Sequence, residues 1–160
     1  MTSLHPLERL IQLRRHRTRR AEEALMASQR RCRELDARHQ ALEITLDQHQ
    51  RASRHREQAL FDDSAQQPMG AETMAAWQQT LADDAGRQES LLQQRRTLAR
   101  ERRTADAERD ERAAEWARCR RAEQALDRLQ ADRSRALAVD AERLAELEME
   151  EMRPPQGALR

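Results

Sequence analysis

The sequence predicts an all-α protein in which two long helices form an antiparallel coiled-coil hairpin and the second helix is the longer one. Three observations support this fold class. More than half of the 160 residues are Ala, Glu, Leu or Arg, a composition typical of long helices. Helix-breaking residues cluster only at Pro6, at 68–70 and at 154–157. Between these breaks, apolar residues recur with the seven-residue period of a coiled coil.

The first helix is predicted over about 5–60. Ser3 is suited to cap its N-terminus, and Pro6 is tolerated in its opening turn. The apolar seam of this helix consists of two rows. One row contains Leu4, Ile11, Leu25, Cys32, Leu46 and Leu60, and the other contains Leu7, Ala21, Leu35 and Leu42. Polar residues interrupt this seam at Thr18, Ser28, His39, His49, Ser53 and Arg56.

A loop is predicted over 61–73, where Asp62, Asp63, Ser64, Pro68 and Gly70 supply helix stop and start signals. The second helix follows over about 74–153, and the tail 154–160 is predicted to be disordered, all within a single domain, 1–160. The apolar register of the second helix contains Met74, Trp77, Leu81, Leu91, Leu98, Ala105, Trp116, Cys119, Leu126, Leu137, Leu144 and Leu147. Polar residues interrupt it at Asp84, Gln88, Arg95, Arg102, Arg109 and Arg112.

Folding the chain back at this loop predicts which residues face each other across the seam. Facing residues are expected to have numbers that sum to about 131. The second helix should then extend roughly 25 residues beyond the start of the first. The seam pattern alone is shared by a hairpin and by an intermolecular dimer of long helices.

The composition excludes several classes of function. Aromatic residues make up 2% of the chain and there are three Gly, too few to build the layered core of an enzyme domain. We therefore expect no catalytic activity, no cofactor and no small-molecule substrate. Charged residues make up 37%, but 30 basic and 29 acidic residues leave a net charge of +1, which argues against disorder and against a nucleic-acid-binding domain. No stretch is apolar enough to predict a membrane span.

Candidate metal ligands are not grouped along the chain. No two of the five His stand three or four residues apart, the spacings that place ligands on one helical face. Cys32 and Cys119 lie too far apart in the predicted hairpin for a disulfide, and so few cysteines indicate a reducing compartment. The phosphate-loop, dinucleotide and nucleophile-elbow motifs are absent. We therefore expect no metal site.

Charge is segregated along the chain. The net charge is +5 over 1–57, −5 over 61–92, +4 over 93–135 and −3 over 136–160. In a hairpin, this distribution gives an acidic turn, a basic shaft and an acidic C-terminal segment. Such a molecule is suited to contact different partners at its two ends.

Two groups of residues are candidates for binding. Large apolar residues concentrate around the loop, at Phe61, Met69, Met74, Trp77 and Leu81. They either seal the end of the hairpin or form a docking surface, because Trp, Phe and Met are enriched among interface anchors. Arginine runs at 14–20 and 30–33 could bind phosphate, but we expect most of them to form ion pairs, because acids lie nearby at helical spacing.

Three motifs occur in a recognisable order. The first motif lies near the start of the first helix and consists of Leu10, Leu13, Arg17, Arg20-Ala21-Glu22 and Ala24-Leu25. The second is the turn after Leu60-Phe61, followed by Met74 and Trp77-Gln78-Gln79. The third is the acidic segment Leu147-Glu148-Met149-Glu150-Glu151. In this order the chain resembles, over its whole length, the YscO family of type III secretion coiled-coil proteins and their flagellar relative FliJ. It departs from the family at Ala136-Leu137-Ala138, where many members carry a Lys-Phe pair.

The resemblance implies a stalk protein that is not an enzyme, located in the cytoplasm at the periphery of the inner-membrane secretion apparatus. Such stalks insert into the ring of the secretion ATPase, contact the cytoplasmic domain of the export gate and bind escort chaperones. The residues implied for the gate contact are Met74, Trp77 and Leu81, with Phe61 beside them. The residues expected to face the ATPase are Arg14, Arg15, Arg17 and Arg20.

Two other functions stay open. A coiled-coil adaptor or chaperone scaffold would bind exported proteins or their escorts through the thin seam. A weak nucleic-acid binder would use the arginine-rich shaft, and its affinity would fall steeply with salt.

Overall fold

The computed structural model describes residues 4–153 and residue 157 as a helical protein. Helix α1 spans Leu4–Gln66 and helix α2 spans Ala71–Glu151. The two helices pack against each other, and there is no strand in the described part of the chain, so the predicted all-α hairpin is confirmed. The predicted disordered tail lies outside the described residues, apart from Gly157.

The turn between the helices is shorter than the predicted loop over 61–73, because α1 continues to Gln66. The polar residues expected to end the helix are satisfied within it. The Gln58 side chain donates to the Asp62 carboxylate at 3.0 Å, and the Ser64 hydroxyl donates to the Phe61 carbonyl at 2.8 Å. Pro68 ends the helix instead, because the residue before a proline is disfavoured in the α conformation.

Helix α2 begins at Ala71, three residues earlier than predicted. The backbone N–H of Met74 donates to the carbonyl of Gly70 at 3.1 Å, which makes Gly70 the N-cap residue. Gly is tolerated at this position.

The chain divides into two compact units, each containing part of both helices. The turn unit is Ala24–Arg112, and the terminal unit combines Met1–Glu23 with Ala113–Arg160. The single domain over 1–160 stays a prediction.

The core of the turn unit lies on the predicted seam. Its buried residues are Cys32, Leu35, Leu46, Leu91, Leu98 and Ala105. Each belongs to one of the two predicted registers, so the heptad pattern is confirmed here. Burying a Leu side chain contributes roughly 1.5 to 3 kcal/mol. With so few buried residues, the core is thin.

The helices pair one heptad away from the predicted register. Phe61 contacts Trp77 edge to face, Glu43 pairs with Arg95 and Asp36 pairs with Arg102. The numbers of each pair sum to 138. The predicted sum of about 131 is wrong, because the turn over 67–70 is centred near position 68.5 and therefore pairs residues whose numbers sum to about 137. Since the error is one heptad, the predicted seam residues still face the seam.

In the terminal unit, Ile11 and Thr18 are buried. The Thr18 hydroxyl is satisfied by the Arg14 carbonyl at 3.0 Å, and Arg15 pairs with Asp127 at 3.4 Å. Every residue over 131–153 is exposed. The C-terminal part of α2 therefore has no packing partner among the described residues, as expected from the greater length of this helix.

Candidate functional site

The predicted gate-contact residues are brought together at the helical turn. We call Phe61, Met74, Trp77 and Leu81 the tip surface. Phe61 comes from the end of α1 and Trp77 from the beginning of α2. Their ring centroids lie 5.9 Å apart with an interplanar angle of 81°. This edge-to-face arrangement is the one that ring quadrupoles favour.

The tip surface is open to solvent. Phe61 is 60% exposed and Met74 is 40% exposed, whereas Trp77 and Leu81 are half-buried. A plug that seals the hairpin end would bury its largest side chains, so these exposures favour a docking surface over a plug.

One polar atom at the tip surface has no partner. The Trp77 Nε1 atom is buried and has no hydrogen-bond acceptor among the residues that the structure describes. An unsatisfied buried donor costs about 1 to 3 kcal/mol. The indole N–H can gain an acceptor from a binding partner only if the side chains that cover it move.

Four exposed carboxylates lie close in sequence to the tip-surface residues, at Asp62, Asp63, Glu72 and Asp83. Asp62 accepts from Gln58 at 3.0 Å and Asp83 accepts from Gln79 at 2.9 Å. Within the described residues, none of the four carboxylates forms an ion pair. The helix ends that supply the tip surface are thus acidic as well as apolar.

Met69, the remaining large apolar residue of this region, is not part of the tip surface. It is half-buried and lines a separate cleft at the turn. The other residues that line this cleft are Leu60, Asp63, Gln66, Gln67, Pro68 and Thr73.

A polar cluster inside the seam was not predicted. The Arg56 guanidinium donates to both carboxylate oxygens of Asp84, at 2.6 and 2.9 Å. The Ser53 hydroxyl donates to the same carboxylate at 3.4 Å, and His49 Nε2 lies 3.0 Å from the Asp84 carbonyl oxygen. The guanidinium holds the pKa of Asp84 below its usual range, and the carboxylate raises the pKa of Arg56.

The signal for this cluster was present in the sequence. His49, Ser53, Arg56 and Asp84 are all polar interruptions of otherwise apolar registers. With the pairing sum of 131, His49 lies near Asp84 but Ser53 and Arg56 do not, whereas the observed register brings all three to Asp84. The error in turn position therefore concealed the cluster.

The arginines expected to face the ATPase lie in the terminal unit on α1. Arg14 is half-buried, and Arg15, Arg17 and Arg20 are exposed. Within the described residues, Arg15 has an ion-pair partner, Asp127, whereas Arg17 and Arg20 have none. Within the described part of the chain, two of the eight arginines in the runs 14–20 and 30–33 form ion pairs, Arg15 with Asp127 and Arg31 with Glu34. The expectation that most of them do is therefore wrong, and in the first run the reason is that no acid lies over 9–21.

Both cysteines are free in the structure. Burial raises the pKa of the Cys32 thiol, with a further contribution from a hydrogen bond with Asp106. Burial also raises the pKa of the Cys119 thiol, with Glu115 as the next cause. Both thiols are therefore poor nucleophiles near neutral pH.

The described residues contain no group of three or more His, Cys, Asp or Glu side chains that could hold a metal ion. Over the same part of the chain, no helix is long and apolar enough to cross a membrane.

Comparison with protein families gives one result that covers most of the chain. The family model described as type III secretion protein YscO matches residues 7–154. This range contains both helices almost completely, with all of the tip surface and the arginines at 14–20. Comparisons with curated proteins and with solved structures give no match.

Proposed function

Because this chain belongs to the YscO family of type III secretion proteins, we propose that it is a non-enzymatic stalk that links the export ATPase ring to the export gate. In this proposal it works in the cytoplasm, at the periphery of the inner-membrane secretion apparatus. Escort chaperones are further partners, and no cofactor takes part.

The exposed tip surface is the observation that carries the proposal. An exposed aromatic ring, an exposed Met and an indole N–H without an acceptor favour an interface with another protein. In the proposal, the cytoplasmic domain of the export gate covers Phe61, Met74, Trp77 and Leu81. A partner acceptor for Trp77 Nε1 would add a hydrogen bond that the free chain lacks.

The ATPase contact is proposed for the arginine-rich start of α1. Arg17 and Arg20 are exposed cations without ion pairs to other described residues, so carboxylates of a partner can bind them without breaking existing contacts. Arg15 would have to exchange Asp127 for a partner carboxylate. Arg14 is half-buried and contributes less exposed charge.

Substitutions in the tip surface test the proposed gate contact. Phe61→Ser and Met74→Glu change exposed side chains and should abolish secretion and capture of the gate domain while leaving the helicity unchanged. Trp77→Ala and Leu81→Ala extend the test to the half-buried residues. Ile44→Ala is the matched control, since Ile44 is 59% exposed and lies outside the tip surface. Normal secretion by the Phe61 and Met74 variants would refute the proposed gate contact.

A coiled-coil adaptor or chaperone scaffold is the alternative. A shallow groove lined by Arg38, Leu42, Leu98 and Glu101 favours it, because the half-buried Leu42 offers apolar surface along the seam. A pulldown from secreting cells that recovers escort chaperones, but neither the ATPase nor the gate, would support this alternative over the stalk.

A further inference from the structure

The C-terminal part of α2 exposes a stripe of apolar residues. Leu137, Leu144 and Leu147 are 53%, 62% and 56% exposed. They continue the seam register of α2, but they lie in the segment 131–153, in which every residue is exposed. A seam without a facing helix is incomplete, because each heptad leucine normally inserts between residues of a partner helix.

The same stripe is acidic towards its end. Residues 136–151 contain six acids and one Arg. Glu148 and Glu151 lie four and seven residues after Leu144, so the three side chains share one face of the helix. Neither glutamate forms an ion pair with a described residue. The stripe therefore begins with leucines and ends with free carboxylates.

A complementary stripe lies on α1 of the same unit. Leu10 and Leu13 are 40% and 45% exposed, and Arg17 and Arg20 follow on the same face. Residues 9–20 contain six Arg and no acid. This stripe therefore begins with leucines and ends with free guanidinium groups.

The two stripes match in spacing and in direction. Leu13, Arg17 and Arg20 are separated by four and three residues, as are Leu144, Glu148 and Glu151. Parallel helices would place Leu144 beside Leu13, Glu148 beside Arg17 and Glu151 beside Arg20. Antiparallel helices would place an arginine beside the leucine. The complementarity therefore requires parallel helices, whereas α1 and α2 of one chain are antiparallel.

We propose that the acidic stripe of α2 (Leu137, Leu144, Leu147, Glu148, Glu151) binds the basic stripe of α1 (Leu10, Leu13, Arg17, Arg20) of a second copy of this chain. The contact is reciprocal in a two-fold dimer, so it forms twice and its buried area doubles. Partly exposed leucines and surface ion pairs give a weak, salt-sensitive dimer rather than an obligate one. The proposal does not depend on the stalk function, although the dimer covers the arginines proposed to face the ATPase.

Sedimentation equilibrium of the full chain tests the proposal. We expect a monomer–dimer equilibrium that shifts towards monomer with added salt. Glu148→Arg with Glu151→Arg should raise the dimer Kd at least about tenfold, as should Arg17→Glu with Arg20→Glu. The chain that carries all four reversals should recover the wild-type Kd to within about threefold, because each pair is restored with opposite signs. Glu142→Arg with Glu146→Arg is the charge-matched control on the opposite face of α2 and should change the Kd far less.

A cysteine pair gives an independent readout of the geometry. The chain that carries Leu13→Cys and Leu144→Cys, in a Cys32→Ser, Cys119→Ser background, should form a covalent dimer on mild oxidation. The Arg15–Asp127 pair shows that Leu13 lies beside the part of α2 near residue 129, about 15 residues or ~22 Å from Leu144. A disulfide within one chain is therefore excluded.

Three results would overturn the proposal. The first is a chain that stays monomeric at all concentrations. The second is a dimer that the charge reversals at 148 and 151 leave unchanged, or that the control reversals weaken equally. The third is a monomeric chain whose segment 137–151 binds the secretion ATPase, which would assign the acidic stripe to that partner.

Discussion

Arg56 and Asp84 form a bidentate ion pair across the seam of the turn unit, with N–O distances of 2.6 and 2.9 Å. The Asp84 side chain is 12% exposed and the Arg56 side chain 41%. If α2 moved along α1 by one heptad in one direction, Asp84 would lie near Asp63 and Arg56 near Leu91. A shift of one heptad in the opposite direction would place Arg56 near Trp77. Polar residues inside a coiled-coil seam specify register in this way. The pair therefore selects one pairing of a seam whose leucines alone would accept several.

Removing the Arg56 guanidinium should destabilise the turn unit, because it leaves the Asp84 carboxylate poorly solvated and without its cation. We expect Arg56→Leu to lower the free energy of unfolding measurably in urea denaturation followed by circular dichroism. Arg96→Leu is the control, since the pair of Arg96 with Glu89 is exposed and should cost less than about 1 kcal/mol. Equal losses in the two variants would contradict the role assigned to Arg56.

The effect of Asp84 on stability should depend on pH. Its pKa is lowered in the folded chain, chiefly by the hydrogen bonds from Arg56, so its contribution is fully present above the unfolded-state pKa of about 3.9 and is lost as the pH falls through the folded-state pKa. Asp84→Asn should therefore be less stable than the wild type at neutral pH, and the difference should shrink below about pH 4. A difference that stays constant down to acid pH would show that the charge of Asp84 is not its cause.

The sequence predicted the helices better than it predicted their pairing. The registers identified Leu35, Leu91 and Leu98 as seam residues because heptad periodicity is a local signal. The pairing depends on where the turn falls. Asp62 and Ser64 are residue types that often end helices, but here their side chains are satisfied inside α1, so the helix continues past them. The Arg56–Asp84 pair could not be predicted, because the two residues meet only in the observed pairing of the helices.

The tip surface was predictable as a cluster but not as an exposed one. Large apolar residues near a turn are conspicuous in a chain with so few aromatics. Whether they seal the hairpin or face solvent depends on the direction of each side chain. The periodicity of the sequence does not give this direction, whereas the exposure of Phe61 in the structure does. The orphan Nε1 of Trp77 likewise depends on its three-dimensional surroundings.

Leu35 should contribute more to stability than any exposed leucine, because its side chain is only 1% exposed. We expect Leu35→Ala to cost about 2 to 5 kcal/mol of unfolding free energy, from lost burial and the resulting cavity. In the same denaturation experiment, Ile44→Ala should change stability by less than about 0.5 kcal/mol, because that side chain is 59% exposed. A small loss for Leu35→Ala would mean that the thin core contributes little to folding.

Gly86→Ala should stabilise the protein. Gly86 lies inside α2. Apart from the local backbone of the helix, no atom lies within 4 Å of the position that an added Cβ would take, and none of the glycines with described conformation has a positive φ. Replacing glycine by alanine in a helix interior gains about 0.5 to 1 kcal/mol. The thermal midpoint should rise, and secretion should be unchanged because Gly86 lies outside the tip surface. A lower midpoint would indicate that the glycine is needed for a contact that the free chain does not make.

The contact between Phe61 and Trp77 should be visible by fluorescence. In a Trp116→Phe background, all indole emission comes from Trp77, whose ring lies 5.9 Å from that of Phe61. Phe61→Ala should shift this emission to longer wavelength, because water replaces the edge of the neighbouring ring, and it should cost no more than about 1.5 kcal/mol. Met149→Ala is the control, as Met149 is 68% exposed and lies in the terminal unit. Unchanged emission in the Phe61 variant would show that the ring contact does not persist in solution. The tip surface would then lack the preorganised aromatic pair on which the proposed gate contact relies.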